Sequence, residues 1–400
     1  MRWTALAVVA GCVLPFASAP VAQAAPPQQC RPERGNVSRQ MLDENPDLRW
    51  WQQVINLSAA HETATGKGVR VAVVDSGVNY VNPQLRGQVL KGADVSATNA
   101  YDCIGHGTAV AGLIAAKRGV SPFYGVAPEA KIIPVKFAAS AQANDSGLAA
   151  KGIDAAVRLG ADVINISTQS ISDDPRLRTA VQKALEKNIP VVAAAGNLDV
   201  ENGQVPEPMY PGAYPGVITV GAVDASGKIT TFSNPKTPVT VIAPGIGVVT
   251  TSADGVWISK DGTSFATPIV AGVVALMKQA HPELTPAQIK TRLERTADGG
   301  KGAGSGAGMV NPSEAVNAVL TDDGSGPQSG ALTPVTIIGP DRADPRTRTI
   351  ALGIAGGGVA AAALVAAAGL LYPHGRRRRW KPGRAVVEVD QDAPVERRFR

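Results

Sequence analysis

The chain has 400 residues, of which 44% are hydrophobic and 18% are charged. This length and balance predict one main globular domain with apolar appendages. The formal net charge is +6, but residues 374–400 supply a surplus of five positive charges, with nine Arg and Lys residues against four Asp and Glu residues. Because the positive charge is concentrated in this tail, the composition argues against a nucleic-acid-binding protein.

Residues 1–24 are typical of a secretory signal peptide. Arg2 precedes an apolar run over residues 5–16, and small residues follow at positions 22–24. The apolar run is too short for a good membrane span, and a retained anchor is the alternative interpretation. Residues 25–66 form an arm that contains Pro, Gln and Arg and precedes the main domain.

Residues 67–320 alternate short apolar runs with helical stretches, which predicts an α/β fold: a mostly parallel sheet with helices on both faces. Strands are predicted over residues 71–74, 131–136, 163–166, 191–194, 217–220 and 239–242. Helices are predicted after Gly107, Ser146, Pro175, Ser264 and Thr285, and residues 308–319 close the domain.

Four polar residues stand at the ends of these elements. Asp75 follows the first strand, at the edge of the sheet where open α/β proteins place their sites. His106 opens a helix between two glycines, and Asn197 follows the strand over residues 191–194. Ser264 should lie at a helix N-terminus, where unpaired N–H groups favour developing negative charge. Taken singly, Asp75 and Ser264 are also compatible with helix caps, and His106 with a structural histidine.

The order of these residues and the motifs around them resemble the subtilisin family of serine proteases (peptidase S8). The motifs VDSG, GHGTAVAG, AAAGN and GTSFATP lie within a similarity that covers about residues 50–319. The resemblance implies that Ser264 is the nucleophile, that His106 is the general base and that Asp75 orients His106. It also implies that Asn197 and the Ser264 N–H group form the oxyanion hole. We expect no cofactor and no metal, because the sequence has no zinc-type spacing of Cys and His and no acidic cluster that compels a calcium site.

Pro268 also follows Ser264 closely, and we expect it in the first turn of that helix, where the missing N–H group has no cost.

The resemblance assigns substrate binding to two short segments after strands. They comprise Ser167, Thr168, Gln169, Ala195 and Gly196. In subtilisins the edge that binds substrate continues into paired glycines, whereas Thr168 and Gln169 stand there in this chain. We therefore expect these side chains to crowd the pocket for the residue before the cleaved bond, and to make the specificity narrow.

The cysteines are consistent with an exported protein. Cys12 leaves with the signal peptide, so Cys30 and Cys103 are the pair that stays, and we predict a disulfide between them. Two unrelated thiols are the alternative. Secreted subtilisins usually carry a folded, removable propeptide, but the arm over residues 25–66 is too short and too polar to be one. We expect it to stay attached and to wrap the catalytic domain.

The C-terminal segments predict a membrane anchor. Residues 321–349 have the composition of a flexible linker, and residues 350–372 form an almost uncharged stretch long enough to cross a bilayer. The basic tail over residues 373–400 indicates a cytoplasmic C-terminus, with the protease domain on the extracytoplasmic, periplasmic side, and anionic lipid as a partner. A buried helix of a soluble domain is the alternative for the apolar stretch.

This architecture resembles the mycosins, membrane-anchored proteases associated with type VII secretion systems. The resemblance implies a single-pass protein of the cell membrane, partners in the secretion membrane complex, and a restricted set of exported protein substrates. Two functions follow as hypotheses. The first is a serine endopeptidase that cleaves those substrates, and the second is a structural subunit that stabilises the complex.

Overall fold

The computed structural model describes residue 30 and residues 32–99, 101–138, 145–300 and 302–320. The predicted signal peptide, linker, membrane span and basic tail lie outside these ranges. Within them, no helix is both long enough and apolar enough to cross a membrane.

A seven-stranded sheet forms the centre of the domain. Its strands are β1 (Arg70–Asp75), β2 (Ala93–Asp94), β3 (Lys131–Lys136), β4 (Val163–Ile166), β5 (Val191–Ala194), β6 (Ile218–Val223) and β7 (Val241–Pro244). They lie in the order β2-β3-β1-β4-β5-β6-β7, and every neighbouring pair is parallel. The predicted α/β fold with a mostly parallel sheet is confirmed, although β6 and β7 end later than predicted and the two-residue β2 was not predicted.

Helices cover both faces of this sheet. They include α4 (His106–Ala115), α5 (Ser146–Arg158), α6 (Pro175–Glu186), α7 (Thr263–Ala280), α8 (Pro286–Thr296) and α9 (Pro312–Asn317). Successive side chains of a strand point to opposite faces of the sheet. In β1, Val71 and Val73 therefore pack in the core with α4 and α7. Ala72 and Val74 pack on the other face with α5 and α6. Burial on both faces explains why the strands are almost continuously apolar.

The N-terminal arm forms short helices that the sequence analysis did not predict. They are α1 (Arg39–Glu44), α2 (Trp50–Val54) and α3 (Leu57–Ala60), with a 3₁₀ turn over Pro46–Arg49. Leu42, Trp51 and Leu57 are at most 1% exposed and join the core that contains α4 and α7. The arm is therefore packed as part of the domain.

Two further contacts attach the arm close to the sheet. A disulfide joins Cys30 to Cys103 in the loop that precedes α4. Val37 pairs with Trp257 of an antiparallel hairpin, β8 (Val248–Thr251) and β9 (Trp257–Lys260), which the sequence analysis also did not predict.

The long helix α7 begins one residue before Ser264. Gly262 precedes it with a φ of 136°, a conformation that residues with a side chain rarely adopt. Pro268 was expected in the first turn, but that prediction is wrong because Pro268 is the sixth residue of the helix. Proline has no N–H group, so it cannot donate to the carbonyl of Ser264 four residues earlier.

Candidate active site

Asp75 and His106 meet at the carboxyl edge of the sheet. Asp75 is the last residue of β1 and is 5% exposed, and His106 is the first residue of α4. The Nδ1 atom of His106 lies 2.8 Å from Oδ1 and 3.0 Å from Oδ2 of Asp75. The N–H group of Ser76 donates to the same Oδ1 at 2.7 Å. A carboxylate at Nδ1 favours the tautomer with its proton there, which leaves Nε2 as an acceptor.

The surroundings of His106 favour its charged form. Burial lowers the pKa of the imidazole, but the charge and the hydrogen bond of Asp75, together with the charge of Asp102, raise it by more. The net effect is a pKa above the usual value of 6.5. The ring nevertheless keeps 30% of its surface exposed, so a substrate can reach it.

A second carboxylate, Asp102, organises the loop before His106. It is fully buried, and its oxygens accept hydrogen bonds from two hydroxyls and three main-chain N–H groups. The donors are the hydroxyls of Ser76 and Thr108 and the N–H groups of Ile104, Gly105 and Thr108, at 2.6–3.1 Å. Burial raises the pKa of Asp102, while these bonds lower it. Asp102 was not predicted from the sequence, where its one signal is an acid four residues before His106.

Ser264 is the second residue of α7, and the ring of the next residue, Phe265, is 5.2 Å from the imidazole of His106 between centroids. Its Oγ donates to the main-chain carbonyl of Ser167 at 2.9 Å. In this arrangement the serine hydroxyl is directed to the end of β4 and not to the imidazole.

Asn197 follows β5 and faces the start of α7. Its Oδ1 accepts hydrogen bonds from both the N–H group and the hydroxyl of Thr263, each at 2.9 Å. Because the carbonyl end of the amide is fixed in this way, the Nδ2 group is the end that can donate to a reacting oxygen. The structure thus brings the predicted oxyanion donor to the residue that precedes Ser264.

The predicted substrate-binding residues lie on both sides of this site. Ser167 and Thr168 follow β4, and Ala195 and Gly196 follow β5. Gln169 bridges the two segments: its Oε1 accepts from the Asn197 N–H group at 2.6 Å, and its Nε2 donates to the Asn197 carbonyl at 3.2 Å. The sequence analysis placed Gln169 in the pocket, but it did not predict this contact.

The space next to this bridge is small. Thr168 and Gln169 line a cavity of about 10 Å³ together with Phe137, Leu177 and Tyr210. A cavity of that size holds at most one water molecule and admits no amino-acid side chain. In the part of the chain that the structure describes, no cluster of three His, Cys, Asp or Glu side chains could hold a metal ion.

Comparison with known proteins identifies the class. Residues 66–326 match the model of the subtilase family, peptidase S8, and the chain belongs to this family of serine proteases. Subtilisin E of Bacillus subtilis (strain 168) is 41% identical over 236 residues, which are 58% of this chain and 61% of that protein. The chain thus spans about three fifths of the length of subtilisin E.

The solved structures that the chain resembles include mycosins. MycP1 from Mycobacterium smegmatis superposes with a TM-score of 0.63 at 28% identity, covering 74% of this chain and 94% of that one. The MycP3 protease from the type VII (ESX-3) secretion system superposes with a TM-score of 0.61 at 32% identity, covering 74% and 98%. The predicted resemblance to subtilisins and mycosins is confirmed.

Proposed function

We propose that this chain is a serine endopeptidase in which Asp75, His106 and Ser264 carry the reaction. The observation that supports the proposal most directly is the 2.8 Å contact between His106 Nδ1 and Asp75 Oδ1. The imidazole also contacts the ring of Phe265, the residue after Ser264 in the first turn of α7. A serine hydroxyl is a weak nucleophile at neutral pH, and an adjacent imidazole that accepts its proton overcomes this limit.

The reaction needs one local movement. Rotation about the Cα–Cβ bond of Ser264 moves Oγ from the Ser167 carbonyl towards Nε2 of His106, and catalytic hydrogen bonds commonly form only when substrate is bound. Nε2 then takes the hydroxyl proton as Oγ attacks the substrate carbonyl carbon. His106 returns that proton to the leaving amine, and a water molecule later releases the acyl group by the same route.

The developing oxyanion is stabilised by two donors. In this proposal they are Nδ2 of Asn197 and the N–H group of Ser264 at the positive end of α7. Asp75 keeps the imidazole in the required tautomer and stabilises its positive charge, which agrees with the raised pKa of His106.

We further propose a restricted set of substrates. Thr168 and Gln169 occupy the place of the paired glycines of subtilisins, and the Gln169 side chain is held against the main chain of Asn197. We expect slow digestion of casein by the purified full-length chain. Rapid general digestion would contradict narrow specificity, although it would still support a protease.

The cellular role is proposed from the relatives and from the sequence. The MycP3 relative is described as a protease of a type VII secretion system. Together with the apolar stretch 350–372 and the basic residues after it, this supports a single-pass membrane protein with its protease domain on the extracytoplasmic side. Its partners would be exported proteins and subunits of the secretion membrane complex.

A fluorophosphonate probe tests the catalytic proposal. The probe reacts with an activated serine, so we expect it to label the full-length chain at Ser264 and to leave the Ser264→Ala variant unlabelled. Peptide mapping of the labelled protein identifies the residue. A folded wild-type chain that no probe labels at any pH would refute the proposal.

A structural role in the secretion complex is the second candidate. It is suggested by the MycP relatives, whose descriptions name type VII secretion systems. Secretion assays in a deletion strain separate the two functions. Restored secretion by Ser264→Ala supports the structural role, whereas lost secretion with the variant stably present supports required catalysis.

A further inference from the structure

The main chain around Asn197 is supported unequally on its two sides. The parallel pairing of β4 with β5 reaches Ile166 and Ala193. Beyond that point, the hydrogen bonds of residues 195–198 on the side of β6 come from main-chain groups and from one hydroxyl, that of Thr237, which donates to the Ala195 carbonyl at 2.7 Å. The main-chain bonds join the Ala195 N–H to Val220, the Leu198 N–H to Phe232, and the Gly196 carbonyl to the Asn234 N–H, at 2.8–3.1 Å.

On the side of β4, a side chain takes the place of a strand. The carboxamide of Gln169 accepts from the N–H group of Asn197 at 2.6 Å and donates to the carbonyl of Asn197 at 3.2 Å. A carboxamide carries an acceptor and a donor, as a peptide group does, so one glutamine can pair with both main-chain groups of a residue. Gln169 thus replaces the strand pairing that ends with β4.

Gly196 allows this close approach. Its φ of +103° disfavours other residues, and a Cβ there would lie 2.2 Å from Sδ of Met209 and 3.1 Å from Oε1 of Gln169. The Asn197 side chain is fixed separately, through its bonds to Thr263. The position of the Nδ2 group therefore depends on two sets of hydrogen bonds. Thr263 binds the side-chain amide of Asn197, and Gln169 binds its main chain.

We propose that Gln169 is a positioning residue that holds the main chain of Asn197, and so keeps Nδ2 where the oxyanion develops. The inference rests on the proposed protease function. An oxyanion donor acts only when it is held ready at hydrogen-bond distance from the oxygen in the transition state. Without Gln169 the 195–198 segment keeps its bonds to the β6 side, but it can shift away from Ser264.

The first test separates positioning from binding. p-Nitrophenyl acetate is small and does not need a side-chain pocket, so we would measure its hydrolysis by the full-length chain. For Gln169→Ala we expect kcat to fall by about 10- to 100-fold with little change in KM, because small displacements of catalytic groups have effects of that size. A rise in KM with unchanged kcat would overturn the proposal.

A second variant distinguishes hydrogen bonding from filled space. Gln169→Met keeps the length of the side chain but has neither the donor nor the acceptor. We expect it to lose as much kcat as Gln169→Ala. If the methionine variant kept wild-type kcat, the role of Gln169 would be to fill space, and the proposal would be wrong.

Gln204 supplies a matched control. Its Oε1 accepts from the Asp199 N–H group at 2.8 Å, which is the same kind of side-chain to main-chain bond two residues beyond Asn197. We expect Gln204→Ala to keep wild-type kcat. An equal loss in this variant would show that any loosening of the loop lowers activity, and would overturn a specific role for Gln169.

A double-mutant cycle decides whether Gln169 acts through Asn197. If it does, Gln169→Ala has no further effect once Asn197→Ala has removed the donor, and the double variant matches Asn197→Ala alone. If the kcat losses of the two single variants multiplied in the double variant, the two residues would act independently and the inference would be wrong. The rate of fluorophosphonate labelling of each variant gives a parallel measurement. If the probe did not label the wild type, the proposed protease function would be refuted. If it labelled Gln169→Ala at the normal rate, only the positioning role of Gln169 would be refuted.

Discussion

The two sides of Ser264 are held by different means. On the His106 side, the loop before α4 is tied by the buried carboxylate of Asp102, by Asp75 and by the disulfide from Cys103. On the Asn197 side, the segment after β5 is held by main-chain bonds on one flank and by the single carboxamide of Gln169 on the other.

This difference shows where the site tolerates change. Three N–H groups share Asp102, so no single bond fixes the His106 loop, and the geometry between His106 and Asp75 is protected by several contacts. The Asn197 segment has less support, and changes in Gln169 can alter the oxyanion donor without disturbing the imidazole. We expect variants on the first side to change stability or proton transfer, and variants on the second to change kcat more than stability.

The largest effect on activity is expected for Asp75→Asn. An amide cannot stabilise the imidazolium, and it favours the wrong tautomer of His106, so kcat should fall by about 10⁴-fold. Ester hydrolysis by the full-length chain measures this loss, and near-UV circular dichroism checks that the variant is folded. A loss of less than tenfold in a folded variant would remove Asp75 from the mechanism.

Asp102→Ala should have its main effect on stability. The substitution leaves three N–H groups of the buried loop without an acceptor, and each such donor costs about 1–3 kcal/mol. We expect the free energy of unfolding to fall by about 3–6 kcal/mol on that basis, since water can reach some of the donors. Denaturant unfolding with the disulfide intact gives the value.

Asp94→Ala is the matched control for Asp102. Asp94 also accepts from two main-chain N–H groups and one hydroxyl, but it is only half-buried. We expect a loss of less than about 1 kcal/mol because water replaces the missing acceptor there. If the two variants lost the same free energy of unfolding, the burial of Asp102 would not be what makes its hydrogen bonds stabilise the loop before His106.

Asn197→Ala should lower activity more than stability. Removal of one oxyanion donor costs about 2.7–4 kcal/mol of barrier, or 10²- to 10³-fold in kcat, a magnitude taken from subtilisin, a member of the same family. The variant should still fold, with the free energy of unfolding lower by about 1–3 kcal/mol, because the buried N–H group of Thr263 loses its acceptor. A folded variant with normal turnover would exclude Asn197 from the mechanism.

Much of the sheet and the segments around Asp75, His106, Asn197 and Ser264 could be predicted from sequence. Buried parallel strands are short apolar runs, and glycines beside polar residues mark the turns at strand ends, so local patterns carry this information. The proline prediction failed although the helix start was predicted to within one residue, because Pro268 is the sixth residue of α7 and lies past its first turn.

The contacts across the site could not be predicted in the same way. Gln169 is 28 residues from Asn197, and its partners are main-chain groups that have no signature in the sequence. The arm helices are four to six residues long, too short for a periodic pattern, and are stabilised by burial of Leu42, Trp51 and Leu57 in the core.

The smallest expected effects concern the titration of His106. Its pKa is raised above 6.5, chiefly because the charge and hydrogen bond of Asp75 outweigh the lowering by burial. The folded state therefore binds this proton more tightly than the unfolded state does. The resulting stabilisation is fully present below pH 6.5 and is lost as the pH rises through the raised pKa of the folded state.

The same shift predicts the pH profile of activity. The general base must be neutral, so kcat/KM should fall on the acid side with a midpoint above pH 6.5. Lys260, on β9, lowers the pKa of His106 through its charge. Lys260→Gln should therefore move the midpoint of the activity profile to a higher pH. Added salt should make this difference between the variant and the wild type smaller. Lys183→Gln, which removes a lysine that pairs with Asp154 on α5, is the control and should leave the midpoint unchanged. A midpoint below 6.5 in the wild type, or a downward shift in Lys260→Gln, would show that the charges around His106 do not act as this geometry requires.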